Sequence, residues 1–356
     1  MPRGIEPARV IPPYVLEAIA RNGSPQQRER ALRTLAIDAT IRQTRAVGAK
    51  ARAGRPRMTP DALAAVAPPG PQRTIADAAH GTTVTGLREL RHEGEPASGD
   101  AAADEAYDGL GATWTFWNEV YGRRSIDDAD MPLRGVVHYG VDYDNAFWDG
   151  RRMVFGDGDG ELFERFTRSL DVIGHELGHG VIEDEAGLEY QGQPGALNEH
   201  VADVFGSMVK QHALDQTASE ADWLIGADLR GPQFHGAALR SMTAPGTAYD
   251  DPVLGRDPQP DNFADYVETS EDHGGVHINS GIPNKAFATL AIGLGGHSWE
   301  TAGTVWYETI RDPRIRPAAT FAQFAALTHR VAEARFGPAA AAAVGAAWDA
   351  VGVTAT

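Results

Sequence analysis

Hydrophobic spacing divides the chain into three stretches of different character. Tyr14 to Ala20 predicts a short helix stopped by Asn22-Gly23. A second helix is expected to start with Ser24 as N-cap and Pro25 as first helical residue, and to run through Leu32, Leu35 and Ile41 to about Thr44. From Val47 to about Thr74 the chain is rich in Ala, Gly, Pro and Arg without a sustained period, which predicts an exposed linker. Residues 86–170 have strand composition, notably Thr113-Trp-Thr-Phe-Trp and Arg134-Gly-Val-Val-His-Tyr-Gly. Gly156-Asp-Gly-Asp-Gly160 is turn chemistry and lacks the further ligands of a calcium-binding EF-hand loop. From Leu170 onward helical patterns dominate, over 171–183, 195–212, 281–295, 298–311, 320–335 and 338–350. No internal repeat is visible.

Composition narrows this picture. With no cysteine among 356 residues there is no disulfide framework, no thiolate metal ligand and no thiol nucleophile. No apolar run approaches the roughly 18–20 residues of a membrane span. The net charge of −17 is unevenly spread: residues 1–60 hold 12 basic and 4 acidic side chains, and all the net negative charge lies beyond them. A basic head on an acidic body argues against nucleic acid as a partner of the body. It also marks head and body as separate functional parts. The N-terminus lacks the apolar core of a secretory signal, which predicts a cytoplasmic protein as synthesised, with release by a non-classical route still open.

The chemistry is concentrated in Asp171-Val-Ile-Gly-His-Glu-Leu-Gly-His-Gly180. On a helix, His175 and His179 are one turn apart and project to one side, so two imidazoles can bind one metal. Glu176, beside the first ligand, can reach a water on that metal. A hydrolytic zinc needs a third protein ligand and an open position. The next predicted helix offers Glu199 in Asn198-Glu-His-Val-Ala-Asp203. Asp203 shares the face of Glu199 and could hold the second nitrogen of a ligand histidine, fixing its tautomer.

The run HELGHGVIEDEAGLEYQGQPGALNEHVADVFGSMV resembles the thermolysin-like zinc metalloproteases. Thermolysin itself carries a catalytic zinc on two histidines and one glutamate. The likeness extends to Asp144-Asn-Ala-Phe-Trp-Asp-Gly150, Met153-Val-Phe-Gly-Asp-Gly-Asp-Gly160, Leu239-Arg-Ser-Met242 and Gly274-Gly-Val-His-Ile-Asn-Ser-Gly-Ile282, in family order from about residue 80 onward. Pro12, Pro13, Tyr14, Val15 and Leu16 form a Pro-Pro-Tyr-x-Leu motif similar to that of the protealysin-like branch, with Val15 where the branch usually has Met.

The resemblance implies an α+β, two-lobed thermolysin-like fold: a β-rich N-terminal lobe, an α-helical C-terminal lobe, and zinc in the cleft between them. The expected divisions are a pro-segment over 1–50, an activation linker over 51–80, and lobes over 81–170 and 171–356. It implies a zinc endopeptidase made as a zymogen, cutting on the amino side of bulky hydrophobic residues. His175, His179 and Glu199 would hold the metal, and Glu176 would be the general base. Tyr190 and His277 would stabilise the oxyanion, with Asp272 orienting His277. Arg240 would bind a substrate carbonyl, and Asn145 with the backbone of Ala146 would pair with substrate as a strand edge. Phe163, Phe166, Val172 and Leu239 would wall the selectivity pocket, which Phe166 narrows.

Two departures stand out. Lys210 occupies a position where extracellular relatives carry a calcium-binding carboxylate, so a full double calcium site is not expected and Lys210 is predicted to pair with Asp171 instead. The Pro- and Asp-rich stretch 243–262 lengthens the interval between Arg240 and His277 and is expected to be a surface loop. Partners are expected to be peptide or protein substrates and the chain's own head, with no membrane partner, the protein acting as a monomer. An aminopeptidase would need an acidic anchor for the substrate amine, which the chain does not offer. The other alternative is a non-catalytic peptide-binding protein on the same fold.

Overall fold

A computed structural model describes residues 9–52 and 70–354. The chain divides into two compact units: Met1–Gly180 with Asp228–Phe234, and Val181–Ala227 with His235–Thr356.

In the first unit the head forms two helices, α1 (Pro13–Asn22) and α2 (Pro25–Arg52). Pro13 opens α1 where its missing N–H costs nothing, and the Gly23 N–H closes it on the Ile19 carbonyl. Ser24 and Gln27 cap α2 reciprocally: Gln27 N–H donates to Ser24 Oγ, and Ser24 N–H donates to Gln27 Oε1. The helix continues to Arg52, past the expected end at Thr44, so the first residues read as linker are helical. The rest of that linker reading falls on residues 53–69, outside the described residues, and on β1 (Thr74–Asp77).

β1 joins β2 (Arg88–His92), β3 (Arg134–Val137), β4 (Ala146–Trp148) and β5 (Met153–Phe155) in a five-stranded sheet of order β2-β1-β3-β5-β4. The β1–β3 and β3–β5 pairs are parallel, and the two outer pairs are antiparallel. The expected strand at Thr113–Trp117 is wrong. These residues belong to α3 (Ala101–Tyr121), capped by the Asp100 carboxylate on Ala103 N–H. Its buried positions Ala103, Ala106, Tyr107, Leu110, Thr113 and Trp117 recur every three to four residues. The aromatic and β-branched composition suggests a strand, but the helical burial period over 21 residues prevails.

The head belongs to this unit; α1 buries Val15, Leu16, Ala18 and Ile19, whereas the buried face of α2 is largely polar. Gln27, Ala31, Thr34 and Asp38 are buried along α2, whereas Leu32 is 53% exposed. Ile37 and Ile41 pack on a cluster of Val136, Tyr139, Tyr143, Phe147 and Val154. The Asp38 carboxylate accepts from the Tyr143 hydroxyl at 2.6 Å and the Asn145 amide at 3.3 Å, and pairs with Arg9 Nε at 3.2 Å. Outside this buried knot, Arg30 reaches Asp142 at 3.2 Å and Glu161 at 2.9 Å. The basic head therefore meets acidic side chains of the body through Arg30, while its buried anchor is itself an acid.

In the second unit, α4 (Leu170–Glu185), whose last turns fall here, leads into α5 (Gly192–Ala213). Short pairs β6 (Leu224–Ile225) with β7 (Arg240–Ser241) and β8 (Asp250–Asp251) with β9 (Gly255–Arg256) follow. Helices α6 (Asp272–Asn279), α7 (Gly281–Leu294), α8 (Thr301–Arg311), α9 (Phe321–Phe336) and α10 (Pro338–Ala350) complete it. Its core stacks Trp306 on Trp348, with ring centroids 5.9 Å apart. The stretch 243–262 is not a plain surface loop. It contains the β8–β9 hairpin, and Ala248, Tyr249, Asp251, Leu254, Asp257 and Gln259 are buried. The Asp257 carboxylate accepts from Gly246 and Ala248 N–H, which satisfies backbone donors that the turn would otherwise bury unpaired. Among the described residues no helix is long and apolar enough to cross a membrane.

Asp144 lies fully buried beside the head, with its backbone N–H on Thr34 Oγ1 and its carboxylate Oδ1 without a partner. Burial, reinforced by the charge of Asp159, pushes its pKa well above the usual carboxylate range. The raised pKa destabilises the fold increasingly as pH rises above the unfolded carboxylate value. Asp144→Asn should therefore raise the melting temperature of the full-length chain at neutral pH, and the gain should vanish toward about pH 4. Thermal unfolding at several pH values checks this; a gain independent of pH would contradict it.

Candidate metal centre and active site

In the first unit, α4 presents His175, Glu176 and His179, all buried. The four-residue spacing brings the two Nε2 atoms within 3.0 Å. The Glu176 carboxylate accepts from the Trp148 backbone N–H of β4 at 3.1 Å. Gly180 permits this approach of helix to strand: a Cβ there would lie 2.6 Å from Ile126 Cγ2 and 3.0 Å from Trp148 Nε1. The β4 strand stands at the end of the sheet's strand order. Beside it, Asn145 Oδ1 accepts from Ile11 N–H at 3.0 Å, and Asn145 Nδ2 donates to the Ile11 carbonyl at 3.1 Å. The head residue thus takes both hydrogen bonds that this amide can offer to one extended residue. Val15 and Leu16 of the Pro-Pro-Tyr-x-Leu motif are buried in the first turns of α1. Phe163 and Phe166 are buried, 6.2 Å apart between centroids, and Val172 is buried on α4.

In the second unit, α5 carries Glu199 and Asp203 one turn apart, both buried. The Tyr190 hydroxyl donates to Glu199 Oε1 and lies 3.3 Å from His277 Nε2. His277 Nδ1 is 2.6 Å from Asp272 Oδ1, and His277 N–H donates to Asp272 Oδ2 at 2.9 Å. This double grip needs a sharp backbone turn, with φ positive from Asp272 through Gly275. Gly275 has φ +72°, and a Cβ there would meet Asn279 Nδ2 at 2.7 Å. Gln259, from the hairpin stretch, donates to the His277 carbonyl at 2.7 Å. Burial lowers the His277 pKa, but the charges of Asp272 and Glu199 outweigh it and raise it to about 9. Arg240 grips Asp203 with two parallel hydrogen bonds, Nε to Oδ2 at 2.9 Å and Nη2 to Oδ1 at 2.8 Å. Leu239 is buried with its N–H on the Ile225 carbonyl. Lys210 donates to Asp222 at 3.0 Å and to the Leu224 carbonyl at 3.1 Å, so its ammonium has acceptors within this unit.

His175 and His179 on α4 and Glu199 on α5, all three buried, are residues that could hold a metal ion. Two imidazole nitrogens and a carboxylate oxygen are the donor set that a catalytic zinc takes, so the residues present fit that ion. Spacing alone points to these three. It does not point to the Trp148 N–H on Glu176, nor to Asp38 and Arg9 behind Asn145. Their partners are separated by 28, 107 and 29 residues. A local sequence pattern carries no trace of such pairs.

Known families match most of the chain. Residues 72–183 match the thermolysin metallopeptidase catalytic domain, and residues 186–353 match its alpha-helical domain. Residues 8–36 match the protealysin propeptide. An extracellular metalloprotease of Pectobacterium carotovorum subsp. carotovorum is 50% identical over 345 residues, covering 97% of this chain and 96% of that protein. An extracellular minor metalloprotease of Serratia marcescens is 40% identical, covering 87% of this chain and 84% of its own length. The solved precursor of protealysin, a metalloproteinase from Serratia proteamaculans, is similar with a TM-score of 0.87 and 49% identity, covering 98% of this chain and all of that one. The expectation of a cytoplasmic protein is overturned, because the Pectobacterium carotovorum and Serratia marcescens relatives are extracellular metalloproteases. The chain belongs to the thermolysin family of zinc metalloproteases, in its protealysin-like branch, and is made with an inhibitory propeptide at its head.

Proposed function

We propose that the mature chain cleaves internal peptide bonds on the amino side of bulky hydrophobic residues, with Glu176 as general base. The observation that carries this reading is the buried Glu176, held on the Trp148 N–H beside His175. His175, His179 and Glu199 would hold a zinc ion, which when bound would lower the pKa of water and polarise a carbonyl. Glu176 takes the proton of the attacking water and passes it to the leaving amine. Tyr190 and His277 donate to the carbonyl oxygen as it gains negative charge. Asp272 holds the proton on His277 Nδ1 and so keeps Nε2 aimed at that oxygen. Asp203 takes two guanidinium N–H groups of Arg240 and orients the remaining donors for a substrate carbonyl. Asp203 also serves a ligand histidine. Phe163, Phe166, Val172 and Leu239 form an apolar pocket for the residue after the cut.

Substrate and head compete for Asn145 and the Ala146 edge, since Ile11 makes the backbone pair that a substrate residue would make. Head removal over about residues 1–50, with cleavage in the following linker, is then the activating step. In the second unit, Lys210 stands in for a calcium ion and leaves the protein stable without one. The mature enzyme acts as a monomer.

Glu176→Ala should lower cleavage of a blocked internal peptide by about 10²–10⁴-fold while still binding one zinc. The variant should stay full-length, with the mass of one chain in light scattering, where the wild type shortens. Retained activity would exclude Glu176 as the base. Asp38→Ala deprives Tyr143, Asn145 and Arg9 of their shared acceptor. Activity of the full-length chain should then appear roughly tenfold sooner, the equivalent of one charge-assisted hydrogen bond. An unchanged time course would show that Asp38 does not hold the head. A calcium-selective chelator should leave the melting temperature unchanged; a clear drop would refute the role given to Lys210.

A further inference from the structure

Behind Asp203 runs a chain of buried hydrogen bonds that the mechanism above does not use. Trp306 Nε1 donates to His200 Nε2 at 2.6 Å. His200 Nδ1 lies 2.8 Å from Asn284 Oδ1. Asn284 Nδ2 donates to Asp203 Oδ2 at 2.8 Å, beside the bond from Arg240 Nε. All five side chains are buried.

The direction of every link follows from its first member. Indole N–H is only a donor, so His200 Nε2 must be an acceptor and the imidazole is neutral. Its one proton therefore sits on Nδ1 and points at Asn284. Asn284 must then turn its oxygen to His200 and its amide N–H to Asp203. The flipped amide would set N–H against N–H at one end and oxygen against carboxylate at the other. Rotation of the imidazole is opposed by packing, because Phe324 and Trp348 stand edge-on to the His200 ring at 6.3 and 6.5 Å. In so dry a setting each mismatched end would be left with an unpaired buried polar group.

We propose that Asn284 is a positioning residue for catalysis, locked by Trp306 through His200, and that it fixes the Asp203 carboxylate in the plane that orients Arg240. The inference rests on the reading of Arg240 as the donor to a substrate carbonyl. An aspartate at 284 would oppose Asp203 with a second carboxylate, so an amide is required there. The signal in the sequence is faint: His200 adjoins Glu199, but its partner Trp306 is 106 residues away.

The test uses full-length protein activated with a trace of mature wild-type enzyme and assayed on a blocked peptide. Asn284→Ala should lower kcat/KM about 10- to 100-fold, the usual cost of losing such a supporting partner. Arg240→Ala should also lower it, and the double variant should be no worse than Arg240→Ala within about threefold, because the two act through one carboxylate. Fully additive losses, or a loss that only tracks the unfolded fraction in a thermal melt, would overturn the proposal. If Arg240→Ala alone is harmless, the reading of Arg240 fails and the proposal falls with it. Trp306→Phe keeps a ring in the core and removes only the N–H, which guards against a misfolded Asn284 variant. Side-chain nitrogen NMR should show His200 as the Nδ1–H tautomer in the wild type and a tautomer mixture in Trp306→Phe. An unchanged single tautomer would show that Trp306 does not set the polarity of the chain.

Discussion

The need to keep buried charge satisfied governs this protein. Glu176, Glu199, Asp203, Arg240, Asp272 and His277 are all buried, and an isolated ion there would be strongly disfavoured. The structure meets the requirement by pairing. Asp203 takes both edges of its carboxylate to Arg240, Asp272 grips His277 by ring and backbone, and Glu176 is held by a strand N–H. Each pairing also fixes a group to which the proposed mechanism gives a role. Satisfying the charges and organising the site are thus the same arrangement.

The head follows a similar logic. A helix docked by leucines alone would be hard to remove and would carry no directional information. Here the apolar contacts of Ile37 and Ile41 are joined by a polar knot of Asp38, Arg9, Tyr143 and Asn145. Hydrogen bonds set the register, placing Ile11 on the Asn145 amide. The charge asymmetry of the chain is expressed in Arg30 between Asp142 and Glu161, at the partly exposed margin where such pairs contribute little. Charge complementarity therefore describes the head less well than the buried knot does.

Much of the architecture is legible from local pattern. The helices beyond Leu170 fall close to their expected bounds, because their burial period is sustained and several stop at a Gly, such as Gly295 and Gly337. Thr113–Trp117 misleads because aromatic and β-branched residues suit a strand equally well when viewed five at a time. The helix shows only when the window extends back to the Asp100 cap. The stretch 243–262 misleads because Pro and Asp mark turns without telling whether the turn is buried. Here Asp257 and Asp251 bind backbone N–H groups and let it fold inward.

The sequence by itself determined the metal set, the family and the presence of a removable head. These depend on short-range spacing: two histidines and a glutamate on one helix, a glutamate and an aspartate one turn apart on the next, and a Pro-Pro-Tyr-x-Leu motif. Tertiary structure alone decided what holds those groups in place. The Trp148 N–H on Glu176, Asp38 on Asn145, and Trp306 acting through His200 and Asn284 on Asp203 join residues far apart in the chain. The physical reason is that a ligand's identity is a property of one side chain, whereas its orientation is a property of its partner. Partners are chosen by packing, which no local period encodes.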